Sequence, residues 1–158
     1  VDQNGRRRPF SSFRGSTVVL TFIYTRCPMP NFCPLMDRHF ADVQRAIKAD
    51  PSLRTVHLLS VSFDPDADTP AVLEKHARGL NADPAVWTFA TGERDAIDRF
   101  GSAFGVFVTR PTGEASDIAH NLRTAVIDRE GKLVKVYTGN DWTPKQLVED
   151  LKTVVKQG

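Results

Sequence analysis

The chain has 158 residues, with 21 Lys and Arg against 19 Asp and Glu and a net charge of +2. That length suits one domain able to bury about 70% of its unfolded surface. So small a charge gives neither nucleic acid nor a membrane surface a bulk electrostatic reason to bind, no apolar run approaches the roughly 18 residues of a membrane span, and 2 cysteines are too few for a disulfide scaffold.

Residues 1–16 are polar, with Arg6-Arg7-Arg8 as a solvated basic cluster and Phe10 and Phe13 as the only large apolar groups. They are expected to form an arm that lays both rings on the core of a domain spanning 17–158. No secretory signal is visible, and an opening Val1 in place of Met leaves room for an upstream signal or anchor. Val18–Tyr24 is an almost unbroken apolar run and reads as a strand buried on both faces. Met36, Phe40, Val43 and Ile47 then recur at helical spacing. That helix is expected near Pro34–Ala49, with Pro34 in its first position and Asp50-Pro51 ending it.

The stretch between strand and helix, Thr25–Met36, holds both cysteines. Cys27 sits where the strand ends and Cys33 where the helix begins. In open α/β sheets, chemistry gathers outside the carboxyl ends of strands. A helix N-terminus favours an anion, and Arg26 adds a positive charge, so Cys33 is expected to ionise more readily than a free cysteine. Prolines at 28, 30 and 34 stiffen the loop. Two thiols so placed can form a disulfide or hold a metal.

Val56–Phe63 is a second apolar strand and closes a right-handed βαβ unit. The acidic run Asp64–Asp68 hints at a calcium loop, but Thr69 and Lys75 stand where such a loop needs Gly and Glu. Asp68 or Thr69 is better read as the cap of a helix that opens at Pro70 and runs to about Leu80. Val86–Ala90 reads as a short strand. Ile97, Phe100 and Phe104 mark a third helix ended by Gly105. A polar loop over Arg110–Ala119 delivers the chain to His120. Leu122–Ile127 and Leu133–Tyr137 form a hairpin around Asp128–Gly131, and Thr143-Pro144 opens a last helix carrying Leu147, Leu151 and Val154. This order implies an α/β, thioredoxin-like fold. A central mixed sheet is flanked by helices, the cysteines lie in the first βα loop, and a hairpin and helix close the chain.

The cysteine element Phe22–Pro28 and Phe32-Cys33-Pro34, with Ser62–Pro65, Asp68-Thr69 and His120 ahead of Leu122–Asp128, resembles the Sco/SenC family. Those are thioredoxin-fold copper proteins of cytochrome oxidase assembly. The commoner family spacing places three residues between the cysteines. Five stand here, in a Cys-Pro-x-Pro form that resembles a branch of the family. The resemblance implies a metallochaperone that holds copper, as Cu(I) or Cu(II), through Cys27, Cys33 and His120. It would deliver copper to an oxidase subunit or another copper or thiol protein. It also implies an extracytoplasmic, periplasmic setting, with a membrane reached only through an upstream anchor.

The residue chemistry agrees. Thiolates favour Cu(I), and imidazole suits either oxidation state. A structural zinc site would want four ligands, and a fourth strong one is not evident. Met29 is read as an exposed loop residue with the option of a weak contact, Met36 as core, and Asp64 as a group on the Cys27 edge that orients the loop or meets a partner. His39 and His76 are read as surface residues and His57 as structural. A second function stays open: a thiol–disulfide reductase that keeps a partner's cysteines reduced, with Cys27 or Cys33 as nucleophile. His120 separates the two, since copper needs it and dithiol exchange does not. Asn121, where thioredoxin-type reductases carry a proline, tilts the reading toward metal. A peroxidase lacks support because neither cysteine follows a Pro-x-x-x-Thr-x-x-Cys element.

Overall fold

The computed structural model describes residues 1–27, 33–109, 119–120 and 122–157, with 108–109, 119–120 and 157 taken as backbone only. In chain order the main elements are β1 (Thr17–Ile23), α1 (Cys33–Ala49), β2 (Val56–Ser62), α2 (Pro70–Gly79), β3 (Trp87–Ala90), α3 (Arg94–Ser102), β4 (Val108–Thr109), β5 (Ala119–His120), β6 (Arg123–Ile127), β7 (Leu133–Thr138) and α4 (Pro144–Gln157). Five strands form one sheet in the order β3-β2-β1-β6-β7. β1, β2 and β3 run parallel, and β6 and β7 run antiparallel beside β1. The sheet is therefore mixed, as the order of predicted elements implies.

β1 takes the middle of the sheet because every one of its residues is buried. Its β-branched and aromatic side chains suit a strand covered on both faces. One face receives α1, whose Met36, Phe40, Val43 and Ile47 are buried. Phe40 there meets Trp87 of β3 and Trp142 ahead of α4. The other face receives α3, where Phe22 packs on Phe100 and Phe104. The rings of the N-terminal arm join this second layer: Phe13 is buried, and Phe10 lies 5.1 Å from Phe100. The arm also covers the outer edge of β3. Asp2 bridges Ala90, and Gln3 Oε1 accepts from Phe89 N–H at 3.0 Å. None of the described helices is long and apolar enough to cross a membrane.

Three local departures from the sequence reading have simple causes. α1 begins at Cys33, one residue before Pro34, so the second cysteine is itself helical. α3 stops at Ser102, because its end tightens into short-range bonds ahead of Gly105, whose φ of +82° reverses the chain. Ala119 and His120 pair with Val108 and Thr109 as a small antiparallel ladder, where the sequence suggested loop up to Ala119. The prolines at 28 and 30, Met29, Asn121 and the polar stretch 110–118 lie outside the described residues.

Candidate functional site

β1 runs out at Ile23, and its next residue, the buried Tyr24, is the hinge of the cysteine loop. Cys27 N–H donates to Tyr24 O at 3.2 Å. The Tyr24 backbone also hydrogen-bonds the Cys33 sulfur, and the Cys27 and Cys33 side chains hydrogen-bond to each other. The two thiols predicted to share a site are thus neighbours, with Cys27 half-buried and Cys33 buried.

Burial overturns the expectation of a readily ionised Cys33. With 1% of its surface exposed, the side chain loses the hydration a thiolate needs, and its pKa is pushed far up. The Tyr24 hydrogen bond opposes this but is the smaller effect, and Cys27 and Asp37 nearby add to the rise. Nor is Arg26 turned to the thiols. Its Nε and Nη2 both donate to Asp64 Oδ2, at 3.1 and 2.9 Å.

Asp64, at the carboxyl end of β2, therefore lies on the Cys27 edge as expected and holds the loop through Arg26. Asp68 holds it more firmly. Its carboxylate has no exposed surface and accepts from Thr25 N–H at 3.0 Å, from the Thr25 hydroxyl, and from Ser62 Oγ at 2.6 Å. Helix capping falls to Thr69, whose Oγ1 accepts from Val72 N–H at 3.3 Å. Asp66 faces away and pairs with Arg94. Three carboxylates with three separate partners do not surround a cation, which closes the calcium reading.

His120 enters through topology. β6 runs antiparallel to β1, with Thr21 opposite Thr124. The first residues of β6 thus lie at the end of the sheet where β1 gives way to the cysteine loop. His120, in β5 opposite Val108, stands three residues ahead of Arg123. Among the described residues, no three His, Cys, Asp or Glu side chains form a metal-sized cluster.

The other histidines divide. His57 is structural, as read: Nε2 meets Thr88 Oγ1 at 2.7 Å, and burial pulls its pKa down to about 4. His39 and His76 are not the surface residues expected. The His39 ring packs edge-on against Trp142 at 4.8 Å, and burial lowers its pKa. His76 Nε2 lies 2.8 Å from Oδ2 of the buried Asp37. Asp37 and Asp68 are the residues that sequence reasoning missed. For Asp37 a signal was available, since it falls on the apolar face of α1 one position after Met36. Asp68 was read as a candidate helix cap, a role that falls to Thr69 instead.

A family model described as SCO1/SenC matches residues 1–156. The chain belongs to the SCO1/SenC family. It is 30% identical over 155 residues to the SCO1 protein homolog of Bacillus subtilis (strain 168), a match spanning 96% of this chain and 78% of that protein. The solved structure of BsSco, a member of the Sco family of cytochrome c oxidase assembly proteins in which a disulfide switch was identified, superimposes with a TM-score of 0.82. The two are 29% identical, over 99% of this chain and 90% of that one. The structure of Bradyrhizobium japonicum ScoI with copper bound gives a TM-score of 0.79 at 26% identity, over 98% of this chain and 94% of that one. The chain spans only 51% of a mitochondrial SCO2 homolog from Bos taurus, at 27% identity. The SCO1/SenC likeness thus extends from the arm through α4, and the thioredoxin-like fold is shared with BsSco.

Proposed function

We propose that this chain is a copper-binding metallochaperone of cytochrome c oxidase assembly. It takes copper as cargo through Cys27, Cys33 and His120 and passes it to a copper-accepting oxidase subunit. One observation carries the reading: the two thiols of a SCO1/SenC chain stand side by side where β1 ends and α1 begins. Two soft sulfur donors suit Cu(I), and an imidazole from β5 would complete three ligands. The buried Cys33 anchors copper inside the fold, and the half-buried Cys27 faces the exchange. Asp64 supports the Cys27 loop through Arg26. We place the protein outside the cytoplasm, in keeping with the mitochondrial relatives.

The thiol–disulfide reductase alternative is not favoured. An attacking thiol needs thiolate near ambient pH, and burial keeps Cys33 protonated there. Cu(I) does not face that barrier, because the metal replaces the proton on the sulfur.

The test is a Cu(I) titration of the reduced protein against a competing chelator. One copper per chain is expected. Cys27→Ser and Cys33→Ser should each lose more than the roughly 10–100-fold that removal of an outer-shell partner costs. Unchanged affinity in either variant would remove that cysteine from the site.

A further inference from the structure

The pair formed by Asp37 and His76 is not among the residues read as copper ligands. Asp37 lies one helical turn after Cys33 on α1, with its side chain 8% exposed. Its Oδ2 takes the contact with His76 Nε2, and its Oδ1 has no partner among the described residues. The His76 ring stands edge-on to Phe89 at 5.7 Å and keeps 26% of its surface exposed. It lines an open cleft of about 440 Å³ together with Thr25, Val72, Lys75 and Leu80. Thr25 is two residues ahead of Cys27, so the cleft opens beside the cysteine loop.

A carboxylate at Nε2 fixes the neutral ring with its proton on that nitrogen, which leaves Nδ1 as an acceptor. Nδ1 makes no hydrogen bond among the described residues. The charged groups that face the ring are Asp37 from α1, Asp68 from the turn ahead of α2, and Lys75 beside it on α2; β3 contributes only the uncharged Phe89. The hydrogen bond to Asp37 holds the His76 pKa above its ordinary value, against burial. A base backed by a buried acid, at the wall of a cleft next to a metal-exchange loop, has the parts of a proton acceptor.

We infer that His76 is the general base for the thiol that takes copper away, with Asp37 as its positioning residue. This rests on the copper reading above. An acceptor cysteine enters the cleft, and its S–H bond breaks as an N–H bond forms at His76 Nδ1. The acceptor thiolate forms a bond to Cu(I) while the Cys27–copper bond breaks. The proton then passes from the imidazolium to the departing Cys27 thiolate. This is the first exchange, and further acceptor thiols then replace Cys33 and His120 in the same way, each displaced ligand taking up the proton its acceptor gave up. Copper keeps its oxidation state and no electrons are transferred.

The experiment follows Cu(I) loss from the loaded protein by stopped flow, with excess 2-mercaptoethanol or 2,2,2-trifluoroethanethiol as acceptor across a range of pH. The fluorinated thiol already carries a large thiolate fraction near neutrality and needs no base. His76→Gln, which can still donate to Asp37, should slow transfer to 2-mercaptoethanol by roughly 10²-fold or more and remove one titration from the wild-type pH profile. Asp37→Asn, which keeps the shape of the pair, should slow the same acceptor in the same direction. Both variants should recover toward the wild-type rate with trifluoroethanethiol. Equal slowing with the two thiols, or none with either, would overturn the base. A wild type that binds no Cu(I) in the titration above would overturn the copper reading and this inference with it, whereas normal binding without a thiol-dependent defect would overturn this inference alone.

Discussion

The fully buried carboxylate of Asp68 accepts hydrogen bonds from both the backbone N–H and the hydroxyl of Thr25, two residues ahead of Cys27. With Ser62 as a third donor, one side chain joins the end of β2 to the start of the cysteine loop. Hydrogen bonds to a charged group contribute about 1.5–3 kcal/mol each, and a buried donor left without a partner costs about as much. Asp68→Ala strands three donors at once, so it should destabilise the protein by on the order of 3 kcal/mol or more. A urea denaturation midpoint close to that of the wild type would show that the loop is held elsewhere.

Cys33 should react slowly. Its thiol is raised first by burial, and Cys27 adds to the rise, so little thiolate forms at neutral pH. In Cys27→Ser, alkylation of Cys33 by iodoacetamide should begin to accelerate only above the roughly 8.5 of an ordinary thiol. A rate that levels off below that pH would contradict the burial argument. The two thiols are nonetheless adjacent, and mild oxidation of the wild type should yield an intrachain disulfide, seen as the loss of two protons in the intact mass. Dimers linked through Cys27, with no intrachain bond, would count against it.

The fold and the cysteine pair were legible because they rest on periodicity and punctuation. The apolar run of β1, the spacing of Met36 to Ile47 and the capping at Thr69-Pro70 each point to one element. What the sequence hid was depth. Cys33 looked like a helix-start thiolate because its dipole is local and visible, while the burial that overrides it comes from the packing of α1 on the sheet. His76 looked like a surface residue among charged neighbours, since its partner Asp37 is 39 positions away. Asp68 looked like a cap because Asp and Thr are interchangeable as caps, and only the reach of Thr25 across from β1 separates their roles.

His57 should make the protein acid-sensitive in a defined window. Burial, with Arg8 nearby, holds the folded-state pKa at about 4, against about 6.5 in the unfolded chain. A depressed folded pKa means that the neutral ring stabilises the fold fully above the unfolded value, and that this is lost as pH falls from about 6.5 toward 4. The contribution is on the order of 3 kcal/mol. His57→Gln should therefore flatten the fall of denaturation free energy across that interval. An unchanged slope would mean that the folded state accepts the proton at little cost.

His120→Ala separates the two thiol chemistries. The fully reduced wild type is expected to bind one copper through three ligands, and the variant keeps only the two sulfurs. Water, or a weak sulfur such as Met29, would then fill the vacancy, and neither replaces an imidazole for Cu(II) or Cu(I). Competition with a chelator should show a strong loss of copper. Thiol exchange depends on thiolate fraction, access and the leaving group, none of which requires a ligand on β5. The variant should therefore reduce a small disulfide at the wild-type rate, slow as that rate is with Cys33 buried. Wild-type copper affinity in His120→Ala would remove the histidine from the site and leave copper on the two thiolates. Loss of exchange with copper retained would make His120 a base for the thiols, and the reductase reading would then displace the chaperone.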